Sequence, residues 1–146
     1  MGQTICIANR KGGVGKTTTA INLSASLAIS GFKTLVVDCD PQGNATSGLG
    51  IRDTESRPTL YQLLLGECSH EEAIRETTLS NLELIPSNQD LIGAEVELLQ
   101  NESREYILRE TIRRCGAKYK YIILDCPPSL GLLTLNSLAA ATSVLI

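Results

Sequence analysis

The feature that most constrains this chain is the octapeptide Lys11-Gly12-Gly13-Val14-Gly15-Lys16-Thr17-Thr18. Backbone N–H groups can wrap an anion only where side chains stay clear and several residues take unusual φ/ψ values, which Gly12, Gly13 and Gly15 permit. The lysine and threonine that follow add a full positive charge for a phosphate and a hydroxyl able to ligate Mg²⁺. Such a loop works when a buried strand delivers the chain to it and a helix leaves it, so that the helix N-terminus faces the same anion. Both are expected here. Residues 4–8 form a short apolar run, and residues 17–30 place Ala20, Leu23, Leu27 and Ala28 at helical spacing before Gly31. A second apolar run at 34–38 completes a βαβ unit, the building block of a parallel sheet.

The rest of the chain continues the alternation. Thr59 with Gln62, and Ser69 with Glu72, have the spacing of capping boxes that open two short helices. A strand is expected at 82–86, helices at 89–99 and 102–115, a strand at 121–125, a helix at 132–141 and a further strand from 143 to 146. The stretch 43–58 reads as the one long loop. Of 146 residues, 42% are hydrophobic but only 3% aromatic, and tryptophan is absent. A core of Ile, Leu, Val and Ala results, which suits helices layered on a parallel sheet. The length is that of one domain. Because the sequence stops on the apolar run Val144-Leu145-Ile146, a poor domain boundary, residues 1–146 are expected to be the N-terminal portion of a single domain whose C-terminal portion is absent.

A net charge of −3 argues against coating nucleic acid by bulk charge. The five cysteines are scattered, with no CxxC pair, and read as reduced core thiols of a cytosolic protein. No apolar stretch is long enough to span a membrane. Arg113, Arg114, Lys118 and Lys120 cluster around a helix end, where cations are favourable on their own account, and His70 lies away from every motif.

Acids at the C-terminal ends of parallel strands face a phosphate loop, where they can hold Mg²⁺ and orient a water for phosphoryl transfer. Two segments put acids there. Asp38 and Asp40 follow the strand at 34–38, and Asp125 ends the run Tyr121-Ile122-Ile123-Leu124-Asp125.

Arg10 stands where the usual phosphate-loop pattern has glycine, and Lys11 stands five residues before Lys16. In this the chain resembles the deviant Walker A ATPases, whose signature KGGxGK[ST] is matched from Lys11 to Thr17. That group includes the partitioning ATPases of the ParA/Soj type, MinD and the nitrogenase iron protein. Asp38-Cys39-Asp40-Pro41-Gln42-Gly43-Asn44-Ala45-Thr46 is similar to the switch I segment of the partitioning subgroup, and 121–131, with Asp125-Cys126-Pro127-Pro128, to its Walker B and switch II. Ile92-Gly93-Ala94-Glu95-Val96-Glu97-Leu98 is likewise similar to partitioning proteins. No cysteine pair suits a shared iron–sulfur cluster.

The resemblance implies a three-layer αβα P-loop NTPase fold, with residues 11–18 binding ATP. Thr17, Asp38 and Asp125 would serve the Mg²⁺ shell, Lys16 the phosphates and Asp40 the attacking water. Lys11 would reach across a dimer interface to the partner's nucleotide, the alternative being one more phosphate contact in its own subunit. Two lysines converging on one site repel each other, so nucleotide should be needed to hold such a dimer together. The implied cycle is ATP-dependent homodimerisation, nonspecific DNA binding through the C-terminal portion, and hydrolysis stimulated by a ParB-like centromere-binding protein, in the cytoplasm or on the nucleoid. Two other readings stay open: the same switch positioning a membrane or protein-cluster cargo, and a fragment without activity of its own.

Overall fold

The computed structural model describes residues 2–8 and 14–145, so the expectations placed on Lys11, Gly12 and Gly13 lie outside the described residues. Six strands form one sheet in the order β3-β4-β2-β5-β1-β6. They are β1 (Gln3–Ile7), β2 (Thr34–Asp38), β3 (Arg75–Glu76), β4 (Leu82–Ile85), β5 (Tyr121–Asp125) and β6 (Ser143–Leu145). Every pairing is parallel except β3 against β4 at the edge. The parallel α/β architecture expected from the sequence is therefore present.

Helices cover both faces, and the pleat of the strands sorts side chains between them. On one face, Ile7, Val36, Leu84 and Ile123 pack with Ala20 and Ala28 of α1 (Val14–Ile29) and Ala45 of α2 (Asn44–Gly48). On the other, Cys6, Leu35, Val37, Ile122 and Leu124 meet the remaining helices. These are α3 (Leu60–Leu64), α4 (His70–Ala73), α5 (Leu91–Glu97), α6 (Ile107–Cys115) and α7 (Leu132–Ala140). Both capping boxes form: Thr59 with Gln62 opens α3, and Ser69 with Glu72 opens α4.

α1 begins at Val14 rather than at 17, and three further features differ from expectation for identifiable reasons. α6 begins at Ile107 rather than at 102, after a 3₁₀ turn over Arg104–Tyr106. Its early amide at Leu108 is capped from another helix, by Asn136 Oδ1 of α7 at 3.0 Å. The stretch 43–58 contains α2, a single turn opened by Gly43 at φ 68°. A side chain at that position would also press on the Ser87 carbonyl, 3.3 Å from where its Cβ would lie. The two-residue strand β3 has too little sequence to show a period.

Cys6, Cys39, Cys115 and Cys126 are buried thiols and Cys68 is half-buried, as expected of core cysteines. Among the described residues no helix is long and apolar enough to cross a membrane.

Candidate functional site

Parallel register brings the acids together before any side chain is considered. Asp38 is the last residue of β2 and Asp125 the last of β5, and the two are direct neighbours across the ladder. Ile7, which ends β1, is the neighbour of Asp125 on its other side. Both acids fall on the α1/α2 face by the same alternation that sends Cys39 and Cys126 to the opposite face.

α1 supplies the cation and the hydroxyl. Lys16, in its first turn, is 6% exposed and places Nζ 2.8 Å from Asp125 Oδ1 and 3.9 Å from Asp40 Oδ2. The next residue, Thr17, donates its hydroxyl to Asp125 Oδ2 at 3.0 Å. One fully buried carboxylate thus engages two consecutive residues of α1, with one oxygen on each. Gly15 sits exposed in the same turn, and Thr18 follows on the helix.

Asp38 turns its oxygens inward to the loop that follows β2. Oδ1 accepts from the Asp40 amide at 3.1 Å, while Oδ2 accepts from the Thr46 amide at 2.9 Å and the Thr46 hydroxyl at 2.7 Å. Burial pushes its carboxyl up to about 6, against the pull of the Thr46 hydroxyl and with the neighbouring Asp125 charge adding to the rise. Asp40 Oδ1 accepts from the Gln42 amide at 3.0 Å, leaving Oδ2 toward Lys16.

Two residues not singled out from the sequence complete this brace. The Thr46 hydroxyl accepts from the Ser87 amide at 3.0 Å, and Ser87 Oγ donates to the Asp40 carbonyl at 2.5 Å. Ser87 lies just past β4, so strands β2, β4 and β5 all contribute at one edge of the sheet. Its signal was its place: a polar residue immediately after an apolar parallel strand.

Three buried carboxylates, Asp38, Asp40 and Asp125, share this edge with the single buried lysine among the described residues. That donor set fits a hard divalent cation. Thr17 and Asp125 present adjacent oxygens, the ligand type Mg²⁺ prefers. Among the described residues no group of three or more His, Cys, Asp or Glu is arranged to hold a metal. Mg²⁺ commonly takes one or two protein oxygens and fills its shell with water and substrate phosphates.

The AAA domain family model matches residues 2–146. Over its whole length the chain is 58% identical to the chromosome partitioning protein ParA of Myxococcus xanthus, covering 52% of that protein. It is 51% identical over its whole length to the sporulation initiation inhibitor protein Soj of Bacillus subtilis, covering 58% of it. The chain spans about half the length of these curated relatives. A solved structure of cobyrinic acid a,c-diamide synthase from Mycobacterium smegmatis, with bound ATP analog and magnesium, superposes with a TM-score of 0.94 at 40% identity. The match covers 99% of this chain and 59% of that one.

Proposed function

Because the chain belongs to the AAA domain family, we propose that its C-terminal sheet edge binds ATP with Mg²⁺ and hydrolyses it, as the nucleotide-handling part of a ParA/Soj-type partitioning switch. The observation that carries this reading is the convergence of Lys16 and Thr17 on the two oxygens of Asp125.

In this reading residues 11–18 cradle the phosphates, with backbone donors from the glycines and the N-terminal turn of α1. Lys16 exchanges its contact with Asp125 for a phosphate oxygen, which frees that carboxylate to join Thr17 in the shell of the cation. Magnesium, when bound, neutralises charge on the β- and γ-phosphates. Asp40, 3.9 Å from Lys16, orients a water and accepts its proton. Asp38 holds the intervening loop through Thr46 and supports the cation shell. Lys11 acts in trans on the nucleotide of a second copy, so dimerisation depends on ATP. DNA binding and a ParB-like partner belong to the same reading, supported by the partitioning relatives.

Paired variants test it. Lys16→Ala is expected to abolish nucleotide binding by calorimetry. Lys11→Ala is expected to retain binding while losing the ATP-dependent dimer in analytical ultracentrifugation. Equal loss of binding in both variants would remove the trans role of Lys11. Retained binding in Lys16→Ala would remove the phosphate site itself.

A further inference from the structure

Asp125 is followed by a five-residue link, 126–130, and then by Gly131, the residue that opens α7. Gly131 has no side chain with which to cap that helix. A different helix supplies the missing acceptor. Glu95, on α5, takes the Leu133 amide on Oε1 at 3.2 Å. Its carboxylate lies so close over the turn that a Cβ at Gly131 would stand 2.7 Å from Oε1 and 3.1 Å from Oε2. A side chain at 131 would oblige the Glu95 carboxylate, the free end of a flexible side chain, to shift from this position. A carboxylate at a helix N-terminus satisfies an orphan donor and meets the positive end of the dipole.

α7 in turn holds the link. The Thr134 hydroxyl, one residue beyond the capped amide, is 2.5 Å from the Ser129 carbonyl and 3.4 Å from that of Pro127. At the other end, the Cys126 amide reaches the Ile7 carbonyl at 3.4 Å. Glu95, the first turn of α7, Thr134 and the link thus form one connected path to Asp125. Pro128, Ser129 and Leu130 of the link are exposed, Leu130 at 66%, so little packing fixes its second half from outside.

We propose that Glu95 is a positioning residue for the reaction at Asp125. By clamping the start of α7 it fixes the 126–131 segment, and so the placement of the Asp125 carboxylate against Lys16 and Thr17. This rests on the nucleotide reading above. Ground-state binding through the glycine-rich loop would survive its loss, whereas the alignment needed for hydrolysis would not.

Glu95→Ala and Glu95→Gln separate the possibilities, since glutamine keeps an acceptor oxygen where alanine has none. Steady-state ATP hydrolysis by Glu95→Ala is expected to show kcat down about tenfold with KM within about twofold, as misalignment without lost binding requires. Glu95→Gln is expected to recover most of kcat. Hydrogen exchange of peptides spanning 126–135 should be faster in the alanine variant and near wild type in the glutamine variant. Faster exchange with unchanged kcat would make Glu95 a helix cap only and overturn the proposal, as would a rise in KM with kcat intact. Unchanged exchange in Glu95→Ala would overturn it at its first step. A wild-type chain that neither binds nor turns over ATP would strike the nucleotide reading instead, and the exchange comparison would still decide whether Glu95 holds the segment.

Discussion

At the C-terminal end of the sheet, the side chains of Lys16, Asp40 and Asp125 are 4%, 6% and 0% exposed. At the N-terminal end a similar set has its cations in the open: Lys33 and Lys118, 41% and 56% exposed, close on the 13% exposed Glu83 at 3.3 and 3.7 Å. Water screens the second set, so each pair contributes little, while the first set has only itself and its hydrogen bonds to balance the cost of burial. The charge balance also differs. Glu83 is one carboxylate served by two lysines and the Tyr119 hydroxyl at 2.5 Å. At the opposite end three buried carboxylates face one buried lysine. A cluster with its cations exposed to water and one more of them than it has carboxylates is a surface device. A buried cluster with surplus negative charge suits a cation, and here the first turn of α1 closes on it through Lys16 and Thr17.

The comparison breaks most readily at Asp125. Removing Asp125 takes away the closer buried partner of Lys16 and leaves it the 3.9 Å contact with Asp40, so Asp125→Ala is expected to lower unfolding free energy by about 3 kcal/mol, read from urea titrations. A loss under about 1 kcal/mol would mean that water reaches Lys16 as freely as it reaches Lys118, and the contrast between the two ends would vanish. Thr46→Val comes next. It removes the hydroxyl that donates to Asp38 and the acceptor used by the Ser87 amide, both buried, at a cost of about 2 kcal/mol. Its signature should be local, with faster hydrogen exchange across 38–48 than across β1.

Much of this could be read from sequence because the chemistry and the local signals coincide. The run from Lys11 to Thr18 demands a strand before it and a helix after it, and Asp38 and Asp125 end apolar runs whose parallel register then makes them neighbours. The capping boxes at Thr59 and Ser69 were legible because their partners lie three residues away. What was hidden depends on distant residues. Asn44–Gly48 has few good helix formers, and its turn is held by Thr46 bonding back to Asp38. The contacts of Ser87 with Asp40 and Thr46 join residues more than forty positions apart, and the cap from Glu95 to α7 spans 38. None of these leaves a periodic trace. The partitioning-type resemblance stands in the comparisons, at 58% identity to the Myxococcus ParA over this chain.

The smallest expected effect belongs to Glu83, and its pH dependence sharpens the contrast between the two ends. Burial raises the energy of its charge, but hydrogen bonds from Tyr119 and Lys33, with the charges of Lys33 and Lys118, outweigh it and hold the carboxyl below its ordinary 4.5. A carboxyl depressed in the folded state binds fewer protons there than in the unfolded chain. Its stabilisation is complete above the unfolded value and fades as pH falls through the folded one. Glu83→Gln is therefore expected to cost about 1 kcal/mol at neutral pH, with the gap to wild type constant down to roughly pH 4.5 and closing below it. Denaturation curves between pH 7 and pH 3 measure that gap. A gap that widens on acidification would reverse the sign and show that burial, rather than the lysines and Tyr119, governs this carboxylate. Glu83 would then behave like Asp38, whose carboxyl burial pushes up to about 6 at the other end of the sheet.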